Sequence, residues 1–193
     1  MAKDKEAQIR EAAIRVFSRE GFHRARMETV AHEAGVAVGT IYNYFPGKKD
    51  VLVSIFETEM EERLAFFETL GESGRTIPEQ LAALLEQHFS LLRGRTELSR
   101  VLLQEQFNPR EGVKERFTAF HQRLFERIEE LIQSGVDGGW VRPCNARVIA
   151  LALFAVVQSV AAFSVFYTED DLDEILRVAP GELAEFIWKG LKK

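Results

Sequence analysis

Met27 to Lys49 reads METVAHEAGVAVGTIYNYFPGKK, and the reading of this stretch decides the fold. Val30, Ala31 and Ala34 form an apolar stripe for one short helix, Gly35 supplies the backbone freedom of a sharp turn, and Ile41 and Phe45 anchor a second short helix. Thr40, Tyr42, Asn43 and Tyr44 are then left pointing outward. A short helix that packs by its inner edge and offers hydroxyls, an amide and a glycine backbone outside suits the major groove of DNA. A glycine between two short amphipathic helices also occurs in ordinary helical bundles, so the bare pattern leaves both readings open.

The neighbouring residues go further. Gly21-Phe22-His23, Val30-Ala31, Ala34-Gly35-Val36, Gly39-Thr40, Tyr42, Tyr44-Phe45 and Lys48 resemble, in order and spacing, the N-terminal domain of TetR-family repressors, over roughly the first fifty residues. The resemblance implies a helix-turn-helix DNA-binding domain over 1–48 and a ligand-binding and dimerisation domain over 49–193. Within the first, Val38, Gly39 and Thr40 are expected to meet base edges, while Arg26, Thr29, Tyr42, Asn43, Tyr44 and Lys48 hold phosphates, which divides specificity from positioning. Two positions depart from the family pattern. Ala25 stands where a Ser or Thr able to cap the next helix is common, and Ala37 stands where a Ser commonly opens the recognition helix. The second change costs roughly 1 kcal/mol unless something replaces the hydroxyl.

Composition fits a two-part protein. The chain has 193 residues, 46% hydrophobic and 28% charged, which is ordinary for a globular protein and excludes disorder. The net charge of −5 is unevenly placed: residues 1–50 hold nine Lys and Arg against seven Asp and Glu, and the remainder holds sixteen against twenty-three. Phosphate affinity depends on local positive charge, and Arg24, Arg26, Lys48 and Lys49 flank the two short helices. The start of the chain has no continuous apolar core of signal-peptide type, so a cytoplasmic location is expected. Cys144 is the sole cysteine and reads as a packing residue, and His23, His32, His88 and His121 lack metal-ligand spacing, so neither a disulfide framework nor a metal is expected. No cofactor is implied.

Coarsely, everything is helical, an all-α fold of about nine helices. Ile9, Ala12, Ala13, Val16 and Phe17 mark a first helix ending at Gly21. Lys48 to about Leu70 makes a fourth helix about 33 Å long, able to link the DNA-binding domain to the body. Gly71-Glu72-Ser73-Gly74 breaks the chain, Pro78 starts the fifth helix, and Glu97 to Phe107 is the sixth. Val113 to Ser134 is the seventh, Asn145 to Tyr167 the eighth, and Asp171 to Lys192 the last, with a break near Pro180. The apolar run Val148 to Val157 raises the question of a membrane span, but Gln158, Ser159 and Ser164 interrupt it and Glu169-Asp170-Asp171 follows, so burial between helices is the simpler reading.

Twelve of the fifteen phenylalanines lie beyond residue 50. Each is explained by ordinary core packing, but as a set they make an elongated apolar cavity plausible. Its expected lining is Phe56, Met60, Leu64 and Phe67 from the fourth helix, His88, Phe89 and Leu92 from the fifth, and Leu103 and Phe107 from the sixth. Phe120 and Leu124 from the seventh helix and Leu153 and Val157 from the eighth complete it. Arg100, Arg110, Lys114 and Arg116 read either as a solvated charged face or as a basic mouth to that cavity, which would suit an acyl-CoA with its tail inside and its phosphates outside. The chain also looks like the acyl-CoA-responsive, fatty-acid-degradation branch of the TetR family, at Gly21-Phe22-His23, Gly39-Thr40-Ile41-Tyr42 and His88-Phe89-Ser90-Leu91-Leu92. TetR-like dimers pair their final two helices into a four-helix bundle, which implies an interface of Phe154, Gln158, Ala161, Leu172, Ile175, Leu183, Phe186 and Ile187.

The expected function is a ligand-responsive, homodimeric repressor that binds double-stranded operator DNA and is released by a large apolar effector, with no membrane partner. A regulator of multidrug efflux is the alternative with the same architecture. An all-α enzyme using the aromatic cavity for turnover is the alternative from another class, and the sequence offers it no nucleophile–base pair, no convincing carboxylate pair and no phosphate-binding glycine loop. A helical carrier without DNA binding would leave the outward Thr40, Tyr42 and Asn43 unexplained.

Overall fold

The computed structural model describes residues 2–107, 114–162 and 169–193. They form α1 (Ala2–Glu20), α2 (Met27–Ala34), α3 (Val38–Tyr44), α4 (Lys48–Glu72), α5 (Ile77–Gly94), α6 (Thr96–Phe107), α7 (Lys114–Asp137), α8 (Ala146–Ala162) and α9 (Glu169–Leu191). Among the described residues there is no strand, only an isolated bridge between Val141 and Lys192. No helix among them is long and apolar enough to cross a membrane.

The helices group into two compact units. The first comprises residues 1–62 and 95–118, and the second residues 63–94 and 119–193. In the first, the stripe Ile9, Ala12, Ala13, Val16 and Phe17 is sealed from solvent, and α1 packs on both α2 and α6. Leu98, Val101 and Leu102 of α6 are buried too, so α6 is held on α1 within the same unit as the short helices. Arg95, just ahead of α6, ties this unit together: its guanidinium donates to Glu59 of α4 at 2.5 Å and to Glu11 of α1 at 2.6 Å. Arg116 of α7 is paired with Glu57 of α4. The second unit is organised by packing of α5 on α9. α4 contributes residues 48–62 to one unit and residues 63–72 to the other.

Local chemistry explains the boundaries. At the start of α5 the Glu79 carboxylate reaches back to Thr76, its Oε2 accepting from Thr76 N–H at 2.8 Å and from Thr76 Oγ at 2.7 Å. Asn145 caps α8 by accepting from Val148 N–H at 3.0 Å. The break after α4 falls at Ser73 and Gly74, later than the sequence suggested, and Gly74 takes the left-handed φ of +69°.

The expected break in the last helix does not occur: α9 runs unbroken through Pro180. A mid-helix proline costs about 3 kcal/mol in isolation. Here Leu176 and Ala179 are buried before it and Ile187 and Leu191 after it, so both halves are held by the same core. Burial of that apolar face outweighs the lost hydrogen bond.

Candidate nucleic-acid interface

α2 and α3 are presented by α1. Gln8 of α1 donates its amide to Ala34 O, the last carbonyl of α2, at 2.7 Å. Arg15 donates to Glu33 at 2.7 Å, and that hydrogen bond, with the charges of Arg15 and Arg19, holds the Glu33 carboxyl below its ordinary value. Gly35 follows at φ +64°, and its N–H returns to Ala31 and His32 carbonyls. This is the left-handed cap that closes a helix and turns the chain. Ile41 is the one fully buried side chain of α3. Gly39, Tyr42 and Asn43 are exposed, and Val38, Thr40 and Tyr44 are half-buried. The outward face is the one expected of a recognition helix.

Arg24, Arg26 and Lys49 are exposed, and Thr29 is half-buried. Arg24 Nε donates to Glu20 O at 2.9 Å, which caps the end of α1. The cap residue of α2 is Arg26, not Ala25, and it makes no side-chain cap; Ala25 is buried. Ala37 is the cap residue of α3 and likewise offers no side-chain hydrogen bond.

Lys48 has a local role that its position in the sequence did not reveal. Its Nζ reaches the carbonyl oxygens of Phe22 at 2.5 Å, Ala25 at 2.8 Å and His23 at 3.1 Å, and it stands 4.6 Å from the centre of the Phe22 ring. An ammonium has three N–H donors, and three backbone acceptors of the α1–α2 turn meet them. The charge therefore fixes the turn from which α2 starts.

The residues expected to line a cavity fall in both units. Phe56 is buried in the first, with Met60 and Leu103 half-buried there. Leu64, Phe89, Leu92 and Phe120 are buried in the second, where Phe67, His88, Leu124, Leu153 and Val157 are half-buried. In the second unit His121 stands edge-on to Phe120 and to Phe154, with centroids 5.3 and 5.4 Å apart, and Phe125 approaches Phe154 at 6.3 Å. Of the expected basic mouth, Arg100 and Lys114 are exposed and Arg116 is engaged by Glu57. Arg110 lies outside the described residues, as do the side chains of Phe107 and Ala161.

On the expected pairing face, Phe186 is 68% exposed and Ile187 only 4%. Phe154, Gln158, Leu172, Ile175 and Leu183 are half-buried. Val148 and Leu151, absent from the sequence-based expectation for this face, are 61% and 57% exposed. With Ala152 and Ala155 they form a solvent-facing apolar stripe at helical spacing on α8.

A tri-helical head with a short, outward-facing second helix after a glycine turn defines a helix-turn-helix DNA-binding protein. Comparison with known proteins agrees. Residues 9–55 match the model of bacterial regulatory proteins of the tetR family, and residues 74–162 match a tetracyclin repressor-like C-terminal domain. Over 137 residues, 69% of this chain and 71% of the relative, the sequence is 35% identical to a fatty acid metabolism regulator protein of Bacillus subtilis (strain 168). Its fold is similar, at TM-score 0.82 and 26% identity, to the transcriptional regulator FadR from Bacillus subtilis solved in complex with stearoyl-CoA, covering 95% of this chain and 98% of that one. The fatty acid degradation regulator FadR from Bacillus halodurans shares the fold at TM-score 0.83 and 24% identity, covering 96% and 95% of the two chains. The chain belongs to the TetR family and is a helix-turn-helix transcriptional regulator.

Proposed function

We propose that this regulator is a cytoplasmic repressor that binds a pseudo-palindromic operator as a homodimer and is released by a long-chain acyl-CoA, in control of fatty-acid metabolism. The observation that carries the effector assignment is the likeness, along nearly the whole chain, to a regulator solved with stearoyl-CoA. The cluster of Phe120, His121, Phe125 and Phe154 in the second unit supports an apolar ligand there. Val38, Gly39 and Thr40 read base edges, and Arg26, Thr29, Tyr42, Asn43 and Tyr44 position the head on phosphates. The domain division at 48/49 is part of the same reading.

A second copy covers the apolar stripe of α8 and Phe186 of α9, because single chains rarely leave such side chains in water. Two copies present two recognition helices, and two-fold symmetry then requires half-sites near one turn of DNA apart or modestly more. An effector that binds better to a second arrangement of the dimer shifts the population away from the DNA-fitting one, with α4 as the continuous connection. Calorimetry with acyl-CoAs of several chain lengths tests the effector: binding of the long chains supports the assignment, and no binding at any length removes it.

A further inference from the structure

One buried polar atom in the second unit lacks a counterpart. His88 as a residue is half-buried, yet its Nε2 lies beyond solvent and meets no hydrogen-bond partner among the described residues. The ring stands edge-on to the fully buried Phe89, with centroids 5.2 Å apart. One turn away on α5, in both directions, the neighbours are Leu84, Leu85, Leu91 and Leu92, none of which has a polar side chain to offer. An orphaned buried nitrogen is costly to retain, and such atoms in native proteins mark a place for water or for a ligand group.

The charge state narrows what that group is. Burial, with the nearby charge of Arg63, lowers the His88 pKa to about 3, so the ring is neutral near pH 7. A neutral imidazole brings no charge of its own to the site, and in its Nε2–H tautomer it can donate one hydrogen bond to an uncharged carbonyl. The leucines beside it on α5 and the ring of Phe89 suit a hydrocarbon chain running past that one polar contact.

Resting on the acyl-CoA reading, we propose that His88 Nε2–H donates to the thioester carbonyl oxygen of the bound acyl chain, so that His88 distinguishes acyl thioesters from equally apolar molecules lacking a carbonyl. The test compares palmitoyl-CoA with S-hexadecyl-CoA, a thioether of the same length in which CH2 replaces the carbonyl, by calorimetry on the full chain. The native protein is expected to bind the thioester on the order of tenfold more tightly, since a site with a buried donor rejects a ligand that leaves it unpaired. His88→Leu should bind the two ligands alike, and His88→Gln, which keeps a donor, should retain part of the preference. Equal affinity of the native chain for both ligands overturns the assignment to His88 while leaving the acyl-CoA reading intact. Failure of the native chain to bind either ligand overturns both.

Discussion

Nζ of Lys48, the first residue of α4, donates to the carbonyl oxygen of Ala25 at 2.8 Å, so the helix that leaves the head also closes the turn that leads into α2. With the Phe22 and His23 carbonyls this makes a charged clamp over residues 22–25. Lys48→Ala is expected to destabilise the head by about 1.5–3 kcal/mol, the range for hydrogen bonds to a charged group. DNA binding should then weaken for all sequences alike, through loss of head geometry. Urea unfolding and the salt dependence of DNA binding check this together. A lower salt slope with unchanged stability would instead identify Lys48 as a direct phosphate contact.

Arg95 gives a second prediction for the first unit. Glu59 is buried to 3% exposure, and Arg95 connects it to Glu11 of α1. Arg95→Ala removes the guanidinium partner of a buried carboxylate and should cost about 2–3 kcal/mol, less than a fully buried pair because Arg95 itself is partly exposed. Arg95→Ala combined with Glu59→Gln should recover part of that loss. Denaturant midpoints of the three variants measure it, and an unchanged midpoint for Arg95→Ala would show the network to be inert.

How much of this was legible in the sequence depends on the range of the interaction. The apolar stripe of α1, the glycine turn and the outward face of α3 are local patterns of period 3.6, and they were readable residue by residue. The role of Lys48 was not, because its partners lie 23 to 26 positions earlier and only the folded turn brings their carbonyls together. Pro180 misled for the same reason: a local helix breaker was overruled by burial of Leu176, Ala179, Ile187 and Leu191. The expected pairing face holds both Phe186 and Ile187, although adjacent helical residues point about 100° apart, and the structure buries Ile187. The signals that could have placed the caps, Thr76 with Glu79 and Asn145 before α8, were present in the sequence.

The pairing face is tested by charge. Leu151→Glu and Phe186→Glu each place a carboxylate on a solvent-facing apolar position, so neither should perturb the fold of a single chain. Both are expected to give monomers in sedimentation at micromolar concentration and to lose operator affinity. A native chain that sediments as a monomer, or variants that remain dimeric, would contradict the interface.

Acid should weaken the second unit through His88. The unfolded chain takes up a proton near pH 6.5 and the native ring only near pH 3, so between these values the unfolded state binds more protons. Stability from this residue is fully present above about pH 6.5 and is lost as pH falls, by up to about 1.4 kcal/mol per pH unit. His88→Leu should flatten the urea midpoint between pH 6.5 and 4.5 relative to the native chain. An equally steep profile in the variant would assign the acid sensitivity elsewhere.

On the proposed function, an acyl thioester controls a dimer seated on DNA. An operator is first selected from randomised duplexes with the purified chain, and release from it is then followed by fluorescence anisotropy as palmitoyl-CoA is added. The expected site is pseudo-palindromic and bound by the dimer, which palmitoyl-CoA releases and coenzyme A alone does not. Retention of the operator at palmitoyl-CoA concentrations that calorimetry shows to saturate the protein would contradict it.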